Sequence, residues 1–349
     1  MPDKPIRVAV VGVGEFGRNH VRVWRELANS SEFAGAIELA GVVDENASRA
    51  QQVAAEFGTR VIRDVYALAA EHIDAVSLAA PTKEHARMGC MLLDSGLDVL
   101  VEKPIASTIG EANGLIASAK RRERILQVGH VERFNPAVAA AQQIVSQPLF
   151  FEVHRLGIFT PRSLDIDVVY DVMIHDLDIL LSLVDAPVVD LKAVGIPVIT
   201  DKIDIAHARV EFETGTVANI TASRVSTERV RKMRFFQAHE YVSLDFTRQD
   251  VLRVRVDSSS AAIGTSPSDG SASDDALPKI DFEKVPVTPE EPLRAELRSF
   301  LESVRTRKQP IVDGAAGRRA LELADRVMAG ILEHARHVQL ASFAPQDAR

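Results

Sequence analysis

Short apolar runs alternate with amphipathic stretches through the first 130 residues. The runs at 8–11, 37–43 and 75–80 are rich in valine and other aliphatic residues, with Glu38 and Ser77 as their only polar members, which is typical of strands buried on both faces. Helices are predicted over 47–57, 66–71, 82–96 and 109–122, and further short strands near 61, 99–101 and 125–129. Strands that alternate with helices in this way predict a parallel sheet covered by helices.

The second half of the chain follows a different period. Residues 165–183 favour a helix, whereas short alternating runs follow one another from 188 to 256 and predict an antiparallel meander. Helices over 292–305 and 315–336 close the chain, and the Ser-, Ala-, Gly- and Asp-rich segment 258–275 is expected to be an excursion between strands. We therefore expect an α/β protein with a nucleotide-binding domain over 1–130 and a second domain over 131–349.

A glycine motif lies where the first strand ends. Gly12, Gly14 and Gly17 have the G-x-G-x-x-G spacing, with a strand-like run before them and a helical pattern after them. The first glycine permits a tight turn, the second lets the backbone approach a pyrophosphate, and the third lets the helix pack on the strand. Asp44 ends the second apolar run, where a carboxylate binds ribose hydroxyls and repels a 2′-phosphate, although an ordinary turn residue is the alternative. The motif predicts NAD rather than NADP, and Arg49 leaves use of both open.

Composition argues against several classes of function. The net charge of -8 and the pI of about 5.7 are unfavourable for binding nucleic acid or an anionic membrane. No apolar run reaches the roughly 20 residues of a membrane span, and the first residues lack the apolar core of a signal peptide, so we expect a cytoplasmic protein. The single cysteine, Cys90, fits a reducing compartment and is expected to be buried. The histidines lack the spacing of a zinc site, so no metal is expected.

Polar residues follow two of the predicted strands. They are Pro81, Thr82 and His85 after the run at 75–80, and Glu102, Lys103 and Pro104 after the run at 99–101. Open parallel sheets bind ligands at the carboxyl ends of their strands, so these positions predict contacts with a cofactor, with Thr82 also capping the next helix. A solvated Glu–Lys pair at the start of a loop is the alternative for Lys103.

The predicted helix over 165–183 carries a second candidate pair. Asp171 and His175 are four residues apart and share one face of that helix. A carboxylate beside an imidazole orients the ring and raises its basicity, which suits removal of a proton from an alcohol. A surface ion pair or a satisfied core histidine is the alternative.

Two charged groups and one sheet face bear on partners. The basic run Arg224, Arg229, Arg231, Lys232 and Arg234 is interpreted as solvated strand residues, with an anionic substrate as the alternative, and Arg294, Glu296 and Arg298 as a solvated helix face. A large sheet covered on one side needs a partner for the other if that face is apolar. We therefore expect a homodimer or homotetramer.

The motifs, in this order along the chain, resemble those of the glucose-fructose oxidoreductase and inositol dehydrogenase (Gfo/Idh/MocA) family. The resemblance implies an N-terminal Rossmann domain, a C-terminal domain with a large, mostly antiparallel open sheet, and NAD-dependent oxidation of a sugar hydroxyl. By the same resemblance His175 is the general base, Asp171 its partner and Lys103 the group that polarises the reacting oxygen. The implied cofactor-binding set also includes Glu15, Phe16, His85 and Glu102, which join the glycines, Asp44, Pro81 and Thr82.

Residues 131–137, 161–162 and 169–178 are most similar to the nucleotide-sugar branch of this family, which oxidises C3 of UDP-N-acetylglucosamine to a 3-keto sugar. The implied substrate contacts are Arg133, Asn135, Arg162, Tyr170 and His175, with arginine suited to diphosphate oxygens. Many members have glycines where this chain has Val168, Val169 and Tyr170, so the seat of the substrate is expected to differ from that of inositol dehydrogenases. The alternatives are a free-sugar or inositol 2-dehydrogenase, an NAD-dependent glycosidase, and a non-catalytic sensor.

Overall fold

Five parallel strands form the first sheet of the protein, in the order β2-β1-β3-β4-β5. The computed structural model describes residues 4–160, 166–256 and 279–338. The strands are β1 Ile6–Val11, β2 Ile37–Val43, β3 Ala75–Leu78, β4 Asp98–Glu102 and β5 Leu126–Gly129, and the helices between them are α1 Glu15–Asn29, α2 Ala47–Glu56, α3 Thr82–Asp94 and α4 Ile109–Arg122. This confirms the parallel sheet predicted from the apolar runs.

Two short elements predicted between α2 and β3 do not form. Val61 makes only an isolated bridge to Val42, and a 3-10 turn at Val65–Ala67 replaces the helix expected at 66–71. The carboxylate of Asp64 accepts hydrogen bonds from the backbone of the first turn, and His72 has a φ of 54°. The left-handed backbone at His72 would end any helix that reached it.

A helix from the end of the chain completes the core around this first sheet. Helix α7, Pro292–Thr306, contributes Leu297 and Phe300 to the same cluster as Trp24, and the rings of Trp24 and Phe300 lie edge to face at 6.5 Å. The chain divides into two compact units, the first made of Met1–Phe134 and Glu290–Leu323 and the second of Asn135–Pro289 and Ala324–Arg349. The sequence division at residue 130 places α7 with the second domain, because periodicity shows that a helix is amphipathic but not which core its apolar face covers.

The second unit is built on an eight-stranded sheet in the order β13-β12-β11-β10-β6-β9-β8-β7. The strands are β6 Phe150–Leu156, β7 Val188–Ile196, β8 Ile205–Phe212, β9 Val217–Ser223, β10 Val230–Gln237, β11 Glu240–Asp245, β12 Asp250–Val256 and β13 Ile280–Val285. Helices α5 Pro136–Gln142 and α6 Ile174–Leu183 precede β7, and α8 Gly314–His337 is the last element. The sheet is mostly antiparallel, as expected, and β7–β8–β9 and β10–β11–β12 each form the predicted antiparallel meander. The prediction is wrong only at the step from β9 to β10, where β6 is inserted and runs parallel to β9.

The two faces of this sheet differ in chemistry. Phe151, Val153 and Phe235 on one face are buried, whereas the other face carries the half-buried ion pair between Arg234 and Glu152, 2.8 Å apart. Arg224 is only 8% exposed and its guanidinium donates to the carbonyl oxygen of Ile203, so the interpretation of the basic run as solvated is wrong at this residue.

Three further predictions concern single segments. Cys90 is half-buried rather than buried. None of the described helices is long and apolar enough to cross a membrane. The segment 258–275 lies outside the described residues.

Candidate active site

The glycine loop between β1 and α1 has the geometry of a dinucleotide cradle. Gly12 has a φ of +81°, and a Cβ on it would lie 2.7 Å from the carbonyl oxygen of Ala79, while a Cβ on Gly17 would lie 1.8 Å from the carbonyl oxygen of Gly12. A Cβ on Gly14 would meet nothing within 4 Å. Packing within the protein therefore requires glycine at the first and third positions, whereas the second faces open space.

The start of α1 offers hydrogen-bond donors at the same place. Gly14 is the N-cap of α1, and no side chain caps the helix. The first backbone N–H groups of a helix have no partner within the helix, and the helix dipole favours an anion there. A cavity of about 440 Å³ adjoins the loop and is lined by Val13, Gly14 and Arg49 among others. These residues fit a pyrophosphate group and the adenosine beside it.

Asp44 is held tightly against the glycine loop. Its Oδ2 accepts a hydrogen bond of 2.7 Å from the backbone N–H of Val13, and its Oδ1 accepts one of 2.9 Å from Asn46. Each carboxylate oxygen has two lone pairs, so both can accept a further hydrogen bond from a ribose hydroxyl. The nearest Arg49 nitrogen lies 3.8 Å from Oδ1, which keeps a cation beside this carboxylate.

Glu15 and Phe16 form the first turn of α1 and are both exposed. Phe16 is 40% exposed, and its ring packs edge-on against the ring of His20 at 5.2 Å. His20 itself is fully buried, and sequence reasoning missed it. The signal was present, because His20 stands at helical spacing with Gly17, Val21 and Trp24 on the face that α1 turns toward the core.

His85 connects the ends of two strands. Its Nδ1 lies 2.9 Å from the carbonyl oxygen of Pro104, after β4, and its Nε2 lies 2.8 Å from that of Ala80, after β3. The ring is 1% exposed, and burial lowers the pKa of His85 although both carbonyl oxygens oppose the shift. Its contact with a cofactor stays a prediction, and the structure gives it a bridging role. Pro81, not Thr82, is the N-cap of α3, so the predicted cap is wrong.

Lys103 stands out from its surroundings at the end of β4. Its side chain is half-buried, whereas Glu102 and Pro104 on either side are buried, and the bond between Lys103 and Pro104 is cis. The Glu102 carboxylate accepts a hydrogen bond of 3.2 Å from the backbone N–H of Lys103 and lies 3.0 Å from Nε2 of His20. The alternative of a solvated pair is wrong for Glu102, which is 7% exposed.

His130 follows β5 and shares its surroundings with two cations. Burial, together with the positive charges of Arg133 and Lys103, lowers the pKa of His130 to about 3. Neutral His130 is therefore near both cationic side chains, and Arg133 is half-buried in a 3-10 turn at Val131–Phe134. Sequence reasoning missed His130 because it follows a short strand without any motif.

A rare backbone conformation marks the second candidate segment. A π-helical turn at Val169–Met173 contains Asp171 and leads into α6, which contains His175. Asp171 and His175 are half-buried, whereas Met173 and Ile174 between them are completely buried. Short π-helical turns are often found at functional sites. The two candidate residues are thus partly accessible in a segment whose neighbouring residues are buried.

The remaining predicted substrate contacts have structural partners. The hydroxyl of Tyr170 donates a hydrogen bond of 2.8 Å to Asp325, and burial and this carboxylate raise the pKa of Tyr170. Asn135 is 2% exposed, caps α5 through the N–H of Ala137, and donates from Nδ2 to the carbonyl oxygen of Phe246 at 3.0 Å. The contacts of both with a substrate stay predictions, and Arg162 lies outside the described residues.

Two family models match different parts of the chain. Residues 6–130 match the model of an oxidoreductase family with an NAD-binding Rossmann fold, and residues 149–239 match the GFO/IDH/MocA C-terminal domain. A UDP-N-acetylglucosamine 3-dehydrogenase from Acidithiobacillus ferrooxidans is 39% identical over 93% of this chain and 97% of that protein. The chain belongs to the GFO/IDH/MocA family of oxidoreductases. The resemblance drawn from its motifs is thereby confirmed.

Solved structures agree with the GFO/IDH/MocA fold. The structure of the A. ferrooxidans enzyme has a TM-score of 0.81 and 37% identity, with 94% of this chain and 98% of that one covered. Levoglucosan dehydrogenase in complex with NADH and levoglucosan has a TM-score of 0.79 with the same coverage, but its identity of 17% shows the shared fold alone. An inositol 2-dehydrogenase from Mycolicibacterium smegmatis is 33% identical over 52% of this chain and 53% of that protein.

The first unit also contains a buried cluster of three residues of types that can bind metal ions. Ligand atoms of His20, Glu102 and Glu296 lie within 4.8 Å of one another, and all three residues are buried. Glu296 is completely buried, so the interpretation of its helix charges as a solvated face is wrong at this position. The expectation that the protein holds no metal stays a prediction.

Proposed function

We propose that this chain is an NAD-dependent dehydrogenase that oxidises the C3 hydroxyl of UDP-N-acetylglucosamine to a ketone. The observation that carries the proposal is the match to a UDP-N-acetylglucosamine 3-dehydrogenase over 93% of this chain and 97% of that protein. The inositol 2-dehydrogenase of M. smegmatis matches about half of each chain. The match over nearly the full length of both chains therefore favours the nucleotide sugar, whose 3-keto product serves amino-sugar biosynthesis.

The first unit would hold the cofactor. The backbone N–H groups at the start of α1 bind the pyrophosphate over Gly14, and Asp44 accepts hydrogen bonds from the adenosine ribose. When bound, NAD supplies a nicotinamide ring that accepts hydride. The Val13 and Asn46 contacts keep the Asp44 carboxylate in place, so its negative charge disfavours a 2′-phosphate.

The acid–base chemistry would come from three side chains. His175 takes the proton of the substrate hydroxyl, Asp171 orients its ring, and Lys103 stabilises the negative charge that develops on the reacting oxygen. Lys103 and Arg133 both lie close enough to His130 to lower its pKa, which supports an electropositive site suited to a diphosphate.

Association with a second copy of the chain is part of the proposal. The outer face of the eight-stranded sheet carries neighbouring aromatic rings, with Phe236 5.7 Å from Phe150 and 5.1 Å from Tyr241. Phe282 on β13 is 68% exposed. We expect a homodimer or homotetramer that covers these rings, which light scattering coupled to size-exclusion chromatography measures directly. The acidic composition and the single cysteine support a cytoplasmic location.

A panel of nucleotide sugars and free sugars tests the reaction. Each compound is incubated with NAD, NADH formation is followed by its absorbance, and the product mass is measured in parallel. We expect UDP-N-acetylglucosamine to give NADH and a product two hydrogens lighter. NADH from inositol but not from the nucleotide sugar would contradict the proposal and favour a free-sugar dehydrogenase.

The same panel separates two other functions. Release of a leaving group without net NADH would indicate an NAD-dependent glycosidase, and binding without any turnover would indicate a sensor. The roles of Lys103 and His175 are tested by comparing a Lys103→Met, His175→Ala double variant with the two single variants. Because both residues are proposed to act on one hydroxyl, their losses of turnover should not add.

A further inference from the structure

A buried group of polar side chains lies directly behind Lys103 in the first unit. His20 on α1 and Glu296 on α7 are completely buried, and Glu102 on β4 is 7% exposed. Nε2 of His20 lies 3.0 Å from Oε1 of Glu102. An ionised carboxylate only accepts hydrogen bonds, so with Glu102 ionised the His20 tautomer that carries its proton on Nε2 donates to it. Burying polar and charged groups costs a large amount of free energy, so three of them together in a buried position indicate a role.

The carboxylate of Glu102 is fixed from two further directions. Its Oε2 accepts the backbone N–H of Lys103 at 3.2 Å, which couples the carboxylate to the residue that follows it. A Cβ on Gly129 would lie 2.5 Å from Oε1 and 2.9 Å from Oε2, so the carboxylate lies flat against the bare backbone of β5. His20, Gly129 and the Lys103 backbone thus leave the carboxylate a single position.

His20 also contacts the start of its own helix, one turn before it in α1. Its ring packs against Phe16, which lies in the first turn of α1. One side chain therefore touches the helix start that would bind the pyrophosphate and, through Glu102, the backbone of Lys103.

We propose that His20 is a positioning residue that sets Lys103 through the Glu102 carboxylate. The inference rests on the proposed function in one respect, namely that Lys103 acts on the reacting oxygen. Loss of the His20 donor removes a hydrogen bond from a buried carboxylate, which then turns toward another donor and releases the Lys103 backbone. Small displacements of a group that contacts the reacting atoms lower kcat strongly, whereas binding of the remote parts of the ligands is little changed.

Two substitutions of His20 test this. His20→Phe keeps the size of the ring and removes the donor, and His20→Gln places an amide N–H near the position of Nε2. We expect His20→Phe to lower kcat about 10-fold with KM for both substrates changed less than about twofold, and His20→Gln to restore most of the loss. His337→Phe, the same change at an exposed position on α8, is the control and leaves kcat unchanged.

A third variant reaches the carboxylate from the opposite side. Gly129→Ala leaves His20 intact but places a methyl group where the Glu102 carboxylate lies. We expect the same loss of kcat with little change in KM. If His20→Phe fails to fold, this variant decides the question alone, and equal kcat in a folded Gly129→Ala protein overturns the proposal.

The reactivity of Lys103 gives a measurement that needs no turnover. Acetylation by acetic anhydride is quantified by mass spectrometry for Lys103 and for the exposed Lys308 as an internal reference. We expect the ratio of the two rates to change at least about threefold in His20→Phe and to return toward the original value in His20→Gln. An unchanged ratio in a folded His20→Phe protein overturns the inference. Absence of turnover in the unsubstituted protein would contradict the proposed function and leave this labelling result valid.

Discussion

The candidate residues of the parallel sheet and those of the segment Val169–Leu183 differ in what surrounds them. Asp44, His85 and Glu102 are almost enclosed, and each bonds to the backbone of the loops that border the predicted cofactor position. Asp171 and His175 are half-buried in a segment whose other residues are mostly buried. The first group is fixed by the loops around it, whereas the second is partly open to solvent, which agrees with the proposed roles in holding a cofactor and in acting on a substrate. Substitutions in the first should therefore change binding or stability, and substitutions in the second should change turnover.

The largest effect is expected from removing the partner of Asp176. This residue follows His175 in the chain, but its surroundings enclose it as those of Asp44, His85 and Glu102 do. Asp176 is completely buried and accepts two hydrogen bonds of 2.8 and 2.7 Å from Arg155, which is 5% exposed. Arg155→Ala deprives a buried carboxylate of both bonds and should lower the free energy of unfolding by about 3–5 kcal/mol, measured by urea denaturation. Arg234→Ala is the control, because its pair with Glu152 is about a third exposed on the same sheet and should cost less than about 1 kcal/mol. Similar losses of unfolding free energy in Arg155→Ala and Arg234→Ala would show that the buried and the partly exposed ion pairs do not differ in their contribution.

His175→Ala gives the sharpest test of the residues that are proposed to act on the substrate. We expect kcat to fall at least about 100-fold because the group that takes the hydroxyl proton is removed. The Kd for NAD, measured by protein fluorescence, should stay within about twofold, since the cofactor contacts lie on other residues. Turnover close to that of the unsubstituted protein would exclude His175 as the base.

His130 provides a pH-dependent test within the first unit. Its pKa in the folded protein, about 3, lies below the unfolded value near 6.5, so the unfolded state binds more protons as the pH falls. Stability from the neutral ring is present above pH 6.5 and is lost progressively toward pH 3. We expect this residue to lower the free energy of unfolding by about 2 kcal/mol between pH 7 and pH 5. A His130→Gln protein should show a correspondingly flatter pH dependence, and an identical slope would contradict the shift.

The smallest effect concerns the choice of cofactor. Asp44→Ala should weaken NAD about 10-fold and NADP less, because the lost carboxylate binds ribose hydroxyls in the first and repels the phosphate of the second. Fluorescence titration with both cofactors measures the two Kd values. Glu38→Ala, on the exposed side of β2, should change neither. Equal weakening of both cofactors would show that Asp44 supports the loop through Val13 without touching the ribose.

Local patterns were sufficient for the fold class and for the motif positions. The glycine spacing, Asp44 after an apolar run and Lys103 after a strand each depend on neighbours in the chain, and α4 begins and ends at the predicted residues. The spacing of Asp171 and His175 also follows from the segment itself. The π-helical turn does not, since no simple period in the sequence predicts it.

What sequence reasoning missed depends on contacts between distant segments. Glu296 was assigned to a solvated face because Arg294 and Arg298 flank it, yet it lies three residues after Leu293 and four before Phe300, on the apolar stripe of α7. That spacing indicated burial, but not that His20 and Glu102 would be its neighbours. The insertion of β6 into the middle of the second sheet is likewise a long-range pairing that alternation cannot reveal.

The contribution of α7 to the first core has a consequence for synthesis of the protein. The first 134 residues emerge from the ribosome long before Leu297 and Phe300 are synthesised. Until then the nascent nucleotide-binding unit exposes the apolar surface around Trp24. A gene fragment that stops at residue 130 would carry the same defect permanently. Expression of the unit in isolation therefore requires the stretch 290–323 to be joined to it by a linker or supplied as a separate peptide.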